Sequence, residues 1–196
     1  KYALALNSGT DALTLALFAI GIKRGDEVIT PSNSFIASTA VIIHLGAKPV
    51  FIDVKNDQNI DENLIESKIT SKTKAIMPVH LTGRVCSMDK ICKIARKYRL
   101  AVIEDCAQSI MSKYNNKFAG TFGDVGCFST HPLKNLNALG DGGFLITNNK
   151  KIYDRVYRLR NHGMASRDNV KEFGFVSRMD NLQAAFLNLR LQNLKK

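Results

Sequence analysis

One lysine stands in a stretch whose composition suits neither a helix nor a strand. Residues 128–143 read Phe-Ser-Thr-His-Pro-Leu-Lys-Asn-Leu-Asn-Ala-Leu-Gly-Asp-Gly-Gly, with Lys134 near the centre. Pro132 excludes a continuous helix, and the three glycines suit a tight backbone path. A lysine amine held in a rigid loop after a strand can be placed to attack a carbonyl carbon. The alternative is a solvated loop lysine, which is more common for this residue type.

A second group of residues could bind an anion. Ser8, Gly9 and Thr10 stand where a helix is predicted to begin. The exposed N–H groups and the positive end of the helix dipole suit a phosphate there, and the glycine allows close approach. The alternative is an ordinary N-cap.

A carboxylate follows a predicted buried strand. The apolar run 100–103 leads directly into Glu104 and Asp105, and ligands of open α/β sheets gather outside the carboxyl ends of strands. A carboxylate there can keep a heterocyclic nitrogen protonated. The alternative is that Asp105 only caps the following turn. Ser129, five residues before Lys134, adds a hydroxyl that could bind phosphate.

Strand-like and helix-like segments alternate along the chain, which predicts an α/β fold with a mainly parallel sheet. The predicted strands cover residues 2–6, 27–30, 49–54, 74–79, 100–103, 125–129 and 144–147. The predicted helices cover about residues 9–20, 35–45, 88–98, 151–160 and 182–189, with a further short helix capped by Asp61.

The amino-acid composition indicates a globular domain and argues against a membrane-spanning protein and a cysteine-based metal site. The chain has 196 residues, 45% of them hydrophobic, which suits one domain with a substantial core. No apolar run approaches the roughly 20 residues of a membrane span, and no signal-peptide pattern opens the chain. The four cysteines show no metal-ligand spacing and favour reduced thiols in the cytoplasm. We therefore predict no metal site and no membrane contact.

The formal net charge of +11 raises the possibility of nucleic-acid binding. The basic residues are scattered over helical stretches, however, and no dense basic block is interleaved with aromatic residues. The pattern favours a lysine-rich surface, so no nucleic-acid partner is predicted.

Taken together, a phosphate cradle, a carboxylate at a strand end, a serine and a lysine occur in the order of a pyridoxal phosphate site. The aldehyde would take the lysine, the pyridinium nitrogen the carboxylate, and the helix N-terminus the phosphate.

The chain resembles the sugar aminotransferases of the DegT/DnrJ/EryC1/StrS family, and the matching motifs run along its whole length. They are Ser8–Leu13, Pro31–Phe35, Pro78–Gly83, Glu104–Gln108, Gly123–Ser129, the lysine stretch, Arg178–Asp180 and Gln183–Ala185. The resemblance implies the large domain, over residues 1–196, of a three-layer αβα fold, the aspartate aminotransferase fold type I. It also implies that an N-terminal helical segment and a smaller C-terminal domain are missing.

The resemblance assigns roles residue by residue. Lys134 would hold pyridoxal 5'-phosphate as a Schiff base and transfer protons, and Asp105 would pair with its ring nitrogen. Gln108 would lie near its phenolic oxygen. Phosphate would be bound by Gly9, Thr10 and Ser129. Phe35 would stack on the cofactor face, whereas on sequence alone it would be a core residue of an amphipathic helix.

The implied reaction moves an amino group from glutamate to a nucleotide-linked ketosugar, in a homodimer with active sites at the subunit interface. Val176 departs from the family, which commonly has asparagine there to reach the neighbouring subunit's cofactor phosphate. Two other activities remain open. A sugar dehydratase of this fold has histidine in place of the lysine, and a sensor domain would be catalytically silent.

The Gly-Asp-Gly-Gly ending of the lysine stretch resembles the branch of the family that acts on 3-ketosugars, whereas endings with glutamate resemble the 4-ketosugar branch. Asp141 is one methylene shorter than glutamate, a difference of about 1.5 Å, and could alter the loop beside the sugar. The alternative is that Asp141 only stabilises the glycine turn.

Overall fold

The computed structural model describes residues 2–194, and a seven-stranded sheet forms its centre. These strands are β1 (Tyr2–Leu6), β2 (Glu27–Pro31), β3 (Lys48–Ile52), β4 (Thr73–Ile76), β5 (Ala101–Asp105), β8 (Val125–Ser129) and β9 (Gly143–Thr147). Two short hairpins lie outside the sheet: β6 (Lys113–Tyr114) with β7 (Lys117–Phe118), and β10 (Met164–Ser166) with β11 (Asn169–Val170).

The strand order is β1-β9-β8-β5-β4-β2-β3, and β9 alone runs against the others. The carboxyl ends of β1, β5 and β8 therefore meet the start of β9 at one edge. The predicted mainly parallel sheet is confirmed. The three candidate functional segments, which contain Gly9, Asp105 and Lys134, begin at these strand ends.

Residues 2–194 contain five α-helices, of which the first four cover the two faces of the sheet and the fifth packs against the lysine loop. They are α1 (Gly9–Ala19), α2 (Ile36–His44), α3 (Met88–Tyr98), α4 (Lys150–Leu159) and α5 (Asn181–Leu191). Apolar side chains of α1, α2 and α4 pack in one core with Val28 and Ile103 of the sheet. The neighbouring strand residues Ile29 and Val102 point to the other face, where they pack with α3. This alternation produces the predicted three layers.

Two predicted elements differ in the structure. Asp61 caps no α-helix: its Oδ1 accepts the N–H of Asn63 in a turn, and only the 3-10 turn Glu66–Lys68 follows. The predicted strand 74–79 ends as β4 at Ile76, because Pro78 has no N–H to donate to a ladder. Val79 returns to the sheet through an isolated parallel bridge to Asp105.

Two further findings concern the state of the cysteine side chains and the length of the helices. All four cysteines are free, and Cys86, Cys106 and Cys127 are buried. Within residues 2–194, no helix is long and apolar enough to cross a membrane.

A buried carboxylate ties the segment after β3 to α3. Glu62 is 4% exposed, and its oxygens lie 2.7 Å from the Nζ of Lys55 and 2.9 Å from the Nζ of Lys90. Burial alone would raise the pKa of Glu62. The hydrogen bonds from the two lysines outweigh burial and lower that pKa from 4.5 to about 2.

We predict that Glu62→Gln lowers the free energy of unfolding at pH 7 by roughly 2 kcal/mol, since hydrogen bonds to a charged group are lost. A lowered folded-state pKa stabilises the protein fully above pH 4.5 and no longer below about pH 2. The difference from the unmodified protein should therefore shrink between those values. Urea unfolding at several pH values measures it, and a difference independent of pH would contradict the ion-pair origin.

Candidate active site

A cavity of about 280 Å³ opens at the edge where the strand ends meet. All residues predicted to bind the cofactor line it: Gly9, Thr10, Phe35, Asp105, Gln108, Ser129 and Lys134. They are distant in sequence and come together because α1 follows β1, a turn follows β5, and the lysine loop follows β8. The structure thus brings every predicted site residue into one place.

The N-terminus of α1 forms one end of the cavity. Ser8 caps the helix, with its Oγ accepting the N–H of Asp11 at 3.0 Å. The N–H groups of Gly9 and Thr10, at the start of the first turn, have no acceptor within the helix and are free for an anion. The backbone packs so tightly here that a Cβ on Gly9 would lie 2.6 Å from the Cβ of Ser129. Glycine at position 9 therefore lets the helix end and the Ser129 side chain share one small space.

Asp105 forms the floor of the cavity and is only 4% exposed. Its Oδ1 accepts the N–H of Ala107 at 3.0 Å, and its Oδ2 accepts the hydroxyl of Ser38 at 2.8 Å. Burial raises the pKa of Asp105 from its usual value, while these two hydrogen bonds and the positive charge of Lys134 oppose the increase. The alternative role as a turn cap also holds geometrically, because Oδ1 caps the turn at Ala107.

The lysine loop is irregular, as its sequence predicts, but it is well anchored. Leu136 and Ala138 are buried against Leu187 of α5. The side-chain Oε1 of Gln183, also on α5, accepts the N–H groups of Leu139 and Gly140 at 2.9 and 3.1 Å. Lys134 in this loop is partly buried and lines the cavity. The simple picture of a solvated loop lysine does not fit this position.

Gln108 is oriented by a strained turn. Its Oε1 accepts the N–H of Thr82 at 2.9 Å, so its amide nitrogen remains available as a donor. Thr82 has a φ of +53°, which is uncommon for a residue with a side chain. Buried Asn59 holds the same turn by accepting the N–H of Leu81 and donating to the carbonyl of Arg84.

The mouth of the cavity is apolar and exposed. Phe35, at the N-cap of α2, is 66% exposed, and Leu133 is 88% exposed. The interpretation of Phe35 as a core residue is therefore wrong, because its ring lies outside both hydrophobic cores of the sheet. Val176 is also exposed and lies in an isolated bridge with Asn161.

Sequence reasoning missed several residues of this site. Ser38, Ala107 and His131 line the cavity, and Gln183 supports it from α5. Helical spacing from Phe35 places Ser38 one turn away on the same side of α2, which was the available signal. No local pattern signals the contact of Gln183 with a loop 43 residues away.

Three buried side chains behind the cavity have metal-ligating atoms within 4.8 Å of one another: His80, Glu104 and Cys106. Protein hydrogen bonds already use the ligand atoms of His80 and Glu104. His80 Nδ1 accepts the N–H of Cys86, so Nε2 carries the proton and donates to Glu104 at 3.0 Å. Glu104 accepts three further backbone N–H groups, and burial raises the pKa of Cys106 well above its usual value. The cluster is a structural network and offers no open ligand set.

We predict that Gly9→Ala weakens binding of pyridoxal phosphate by about tenfold or more, because the new Cβ would displace α1 from Ser129 and remove a hydrogen bond to a charged group. Absorbance titration of the cofactor-free protein measures the change. Gly21→Ala is the matched control. Gly21 has a φ of +93° and ends α1 at its far end, so this variant should lose stability and keep its affinity. Equal losses of affinity in both variants would contradict the prediction.

Comparison with known proteins identifies the family to which this sequence is similar. The model of the DegT/DnrJ/EryC1/StrS aminotransferase family matches residues 1–196. The dTDP-3-amino-3,6-dideoxy-alpha-D-galactopyranose transaminase of Aneurinibacillus thermoaerophilus is 49% identical, over 99% of this chain and 54% of its own length. The UDP-N-acetyl-3-dehydro-alpha-D-glucosamine 3-aminotransferase of Acidithiobacillus ferrooxidans is 46% identical, over 95% of this chain and 51% of its own length. A pleiotropic regulatory protein of Geobacillus stearothermophilus is 42% identical, over 100% of this chain and 53% of its own length.

Solved structures give the same result. DesV of S. venezuelae, in complex with a ketimine intermediate, superposes with a TM-score of 0.96 at 40% identity, covering 100% of this chain and 53% of that one. NtdA of Bacillus subtilis, with bound cofactor PMP, superposes with a TM-score of 0.93 at 38% identity. The match covers 99% of this chain and 45% of that one. The chain spans about half the length of the curated relatives it matches. It belongs to the DegT/DnrJ/EryC1/StrS aminotransferase family and has the αβα fold of that family.

Proposed function

We propose that the protein is a pyridoxal phosphate-dependent aminotransferase that moves an amino group from glutamate to a nucleotide-linked ketosugar. The observation that supports this most is the meeting of Lys134, Asp105 and the α1 N-terminus in one cavity. Residues 1–196 act as the cofactor-binding large domain. Four free cysteines suit the cytoplasm, which we propose as its compartment.

The residues present fit this cofactor. The first turn of α1 and Ser129 offer N–H and hydroxyl donors at one end of the cavity, as a phosphate requires. Asp105 offers a buried carboxylate at its floor, as a protonated ring nitrogen requires. Lys134 offers the amine, and Gln108 offers an amide donor oriented by Thr82.

Each residue has a separate task in the reaction. When bound, the cofactor supplies an electron sink for the breaking of a C–H bond. Lys134 would hold the aldehyde carbon until the amino donor displaces it, and its free amine would then carry the proton from the α-carbon of the donor to C4′ of the cofactor. Asp105 would keep the ring nitrogen protonated throughout. In the second half of the cycle, Lys134 would return a proton to the sugar carbon that receives the amine.

The exposed apolar side chains at the cavity mouth support a homodimer. Phe35 and Leu133 line one opening and are 66 and 88% exposed, and Ile36, next to Phe35 in the chain, is 69% exposed. A second subunit would remove these side chains from water. The active site would then lie at the subunit interface.

We predict that the whole protein is a dimer in light-scattering measurements, because this rim would otherwise stay in water. Leu133→Glu should shift it toward monomers, since a charge would have to be buried at the interface. Leu64→Glu is the matched control, because Leu64 is exposed but lies outside the cavity. A fully active monomer would overturn the proposed assembly.

Lys134→Ala should abolish the adduct that borohydride reduces between the whole protein and pyridoxal phosphate, since the amine that attacks the aldehyde is gone. Turnover should fall by at least about 10³-fold, because the proton carrier is lost as well. Mass spectrometry of the reduced protein measures the adduct. Lys23→Ala, at an exposed lysine outside the cavity, should change neither quantity. An adduct of unchanged stoichiometry in Lys134→Ala would refute the assignment.

For the sugar, we propose amination at carbon 3. Asp141 lines the cavity, which supports contact with the substrate over a role only in the glycine turn. The transaminase and the 3-aminotransferase compared above also carry carbon 3 in their names.

Nucleotide-linked 3-ketosugars should therefore be aminated faster than their 4-keto isomers, with the product identified by NMR. Asp141→Glu should reduce this ratio, because the carboxylate moves by about 1.5 Å. Asp141→Asn is the control that keeps the length of the side chain and removes its charge. Amination at carbon 4 with 3-ketosugars left unreacted would refute the preference.

Two other activities are distinguishable from this one. Lys134 stands where the dehydratases of this fold have histidine, which argues against dehydration. A regulatory role without catalysis is suggested by the name of the Geobacillus relative. A protein that forms the borohydride adduct but does not transfer amino groups from glutamate to any of a panel of ketosugars would favour the regulatory role.

A further inference from the structure

We propose that Ser38 is a positioning residue whose hydroxyl keeps the Asp105 carboxylate ionised and aimed at the ring nitrogen of the cofactor. This inference rests on the proposed cofactor site. It concerns a residue that no sequence motif singled out, because it stands three positions beyond Phe35 within the first turn of α2.

Two hydrogen bonds fix the position of Ser38. Its backbone N–H donates to the carbonyl of Phe35 at 3.1 Å, which fixes it in the first helical turn. Its side chain is 1% exposed, and its Oγ lies 2.8 Å from Oδ2 of Asp105. Since a carboxylate only accepts, the hydroxyl must be the donor while Asp105 is ionised.

Asp105 needs such a donor because its surroundings disfavour charge. It is buried at the end of β5, and burial is the largest influence on its ionisation, raising its pKa. The opposing influences are the N–H of Ala107, the Ser38 hydroxyl and the positive charge of Lys134. The other titratable groups near this end of the sheet are Glu104, Cys106 and Cys127.

The lysine charge is not a constant support. In the proposed reaction Lys134 would act as a proton carrier, and its amine would be uncharged each time it has given up its proton. The Ala107 N–H and the Ser38 hydroxyl remain, one on each carboxylate oxygen. Together they prevent rotation of the carboxylate and leave one lone pair on each oxygen for the ring nitrogen. Ser38 therefore acts on the reaction only through Asp105.

The test begins with protein from which the cofactor has been removed. In Ser38→Ala, the carboxyl ¹³C signal of Asp105 should titrate at higher pH than in the unmodified protein, because an acceptor bond to the charged form is lost. Ser38→Thr keeps the hydroxyl and should restore the original titration. Ser109→Ala is the matched control, since Ser109 is equally buried at 1% exposure and its Oγ is not among the donors to the Asp105 carboxylate, which are Ser38 and Ala107.

The second measurement uses the whole protein with ¹⁵N-labelled pyridoxal phosphate. The ring nitrogen should be protonated in the unmodified protein and in Ser109→Ala, and less so in Ser38→Ala. Affinity for the cofactor should fall about tenfold in Ser38→Ala, with kcat reduced and KM for the ketosugar unchanged.

The outcomes separate this inference from the proposed function. If Asp105 titrates identically in Ser38→Ala and in the unmodified protein, or if Ser109→Ala shifts it equally, the role of Ser38 is refuted while aminotransfer stands. If the Asp105 titration shifts as expected but no ketosugar is aminated, the link between the two groups stands and the proposed function falls.

Discussion

The candidate site is built around one carboxylate whose negative charge would need support, because burial almost excludes water from it. Asp105 is 4% exposed, and a buried charge is tolerated only when hydrogen bonds and opposite charges compensate for lost hydration. Each compensating group comes from a different part of the chain: Ala107 from the next turn, Ser38 from α2, and Lys134 from the lysine loop. The sheet makes this possible because its strands end at one edge, so that three segments reach the same point. A shift of any of them would remove part of the support for the charge.

The second constraint is rigidity in segments with no regular structure. An irregular loop would normally be mobile, since its backbone groups lack the ladder partners of a strand. The lysine loop obtains partners elsewhere: Gln183 of α5 accepts two of its N–H groups, and Leu136 is buried beside Leu187. On the other side of the cavity, Asn59 does the same for the turn that orients Gln108. Both supports are side-chain amides, which can accept and donate at once.

The sequence allowed prediction of the elements because their signals are local. Apolar spacing within each segment identified all seven strands of the sheet and the five helices, with ends displaced by a few residues. The two hairpins are two or three residues per strand and carry no periodic signal. The direction of β9 depends on pairing with β1 and β8, which no local pattern records. The residues that line the cavity could be predicted because they stand in short sequence motifs. The residues that support them, Ser38, Asn59 and Gln183, could not, because each bonds a partner 67, 22 and 43 positions away in the sequence, respectively.

The first turn of α2 shows how the two sides of the cavity differ. Phe35 at its N-cap is 66% exposed, and Ser38, held to it by a backbone hydrogen bond, is 1% exposed. One helical turn therefore connects the buried polar floor with the open apolar mouth. An aromatic ring left in water gains nothing for this chain alone, so its value must come from what it contacts when the cavity is filled and covered. A backbone hydrogen bond joins Phe35 to Ser38, so the residue at the open mouth and the hydroxyl that contacts Asp105 are held in one helical turn.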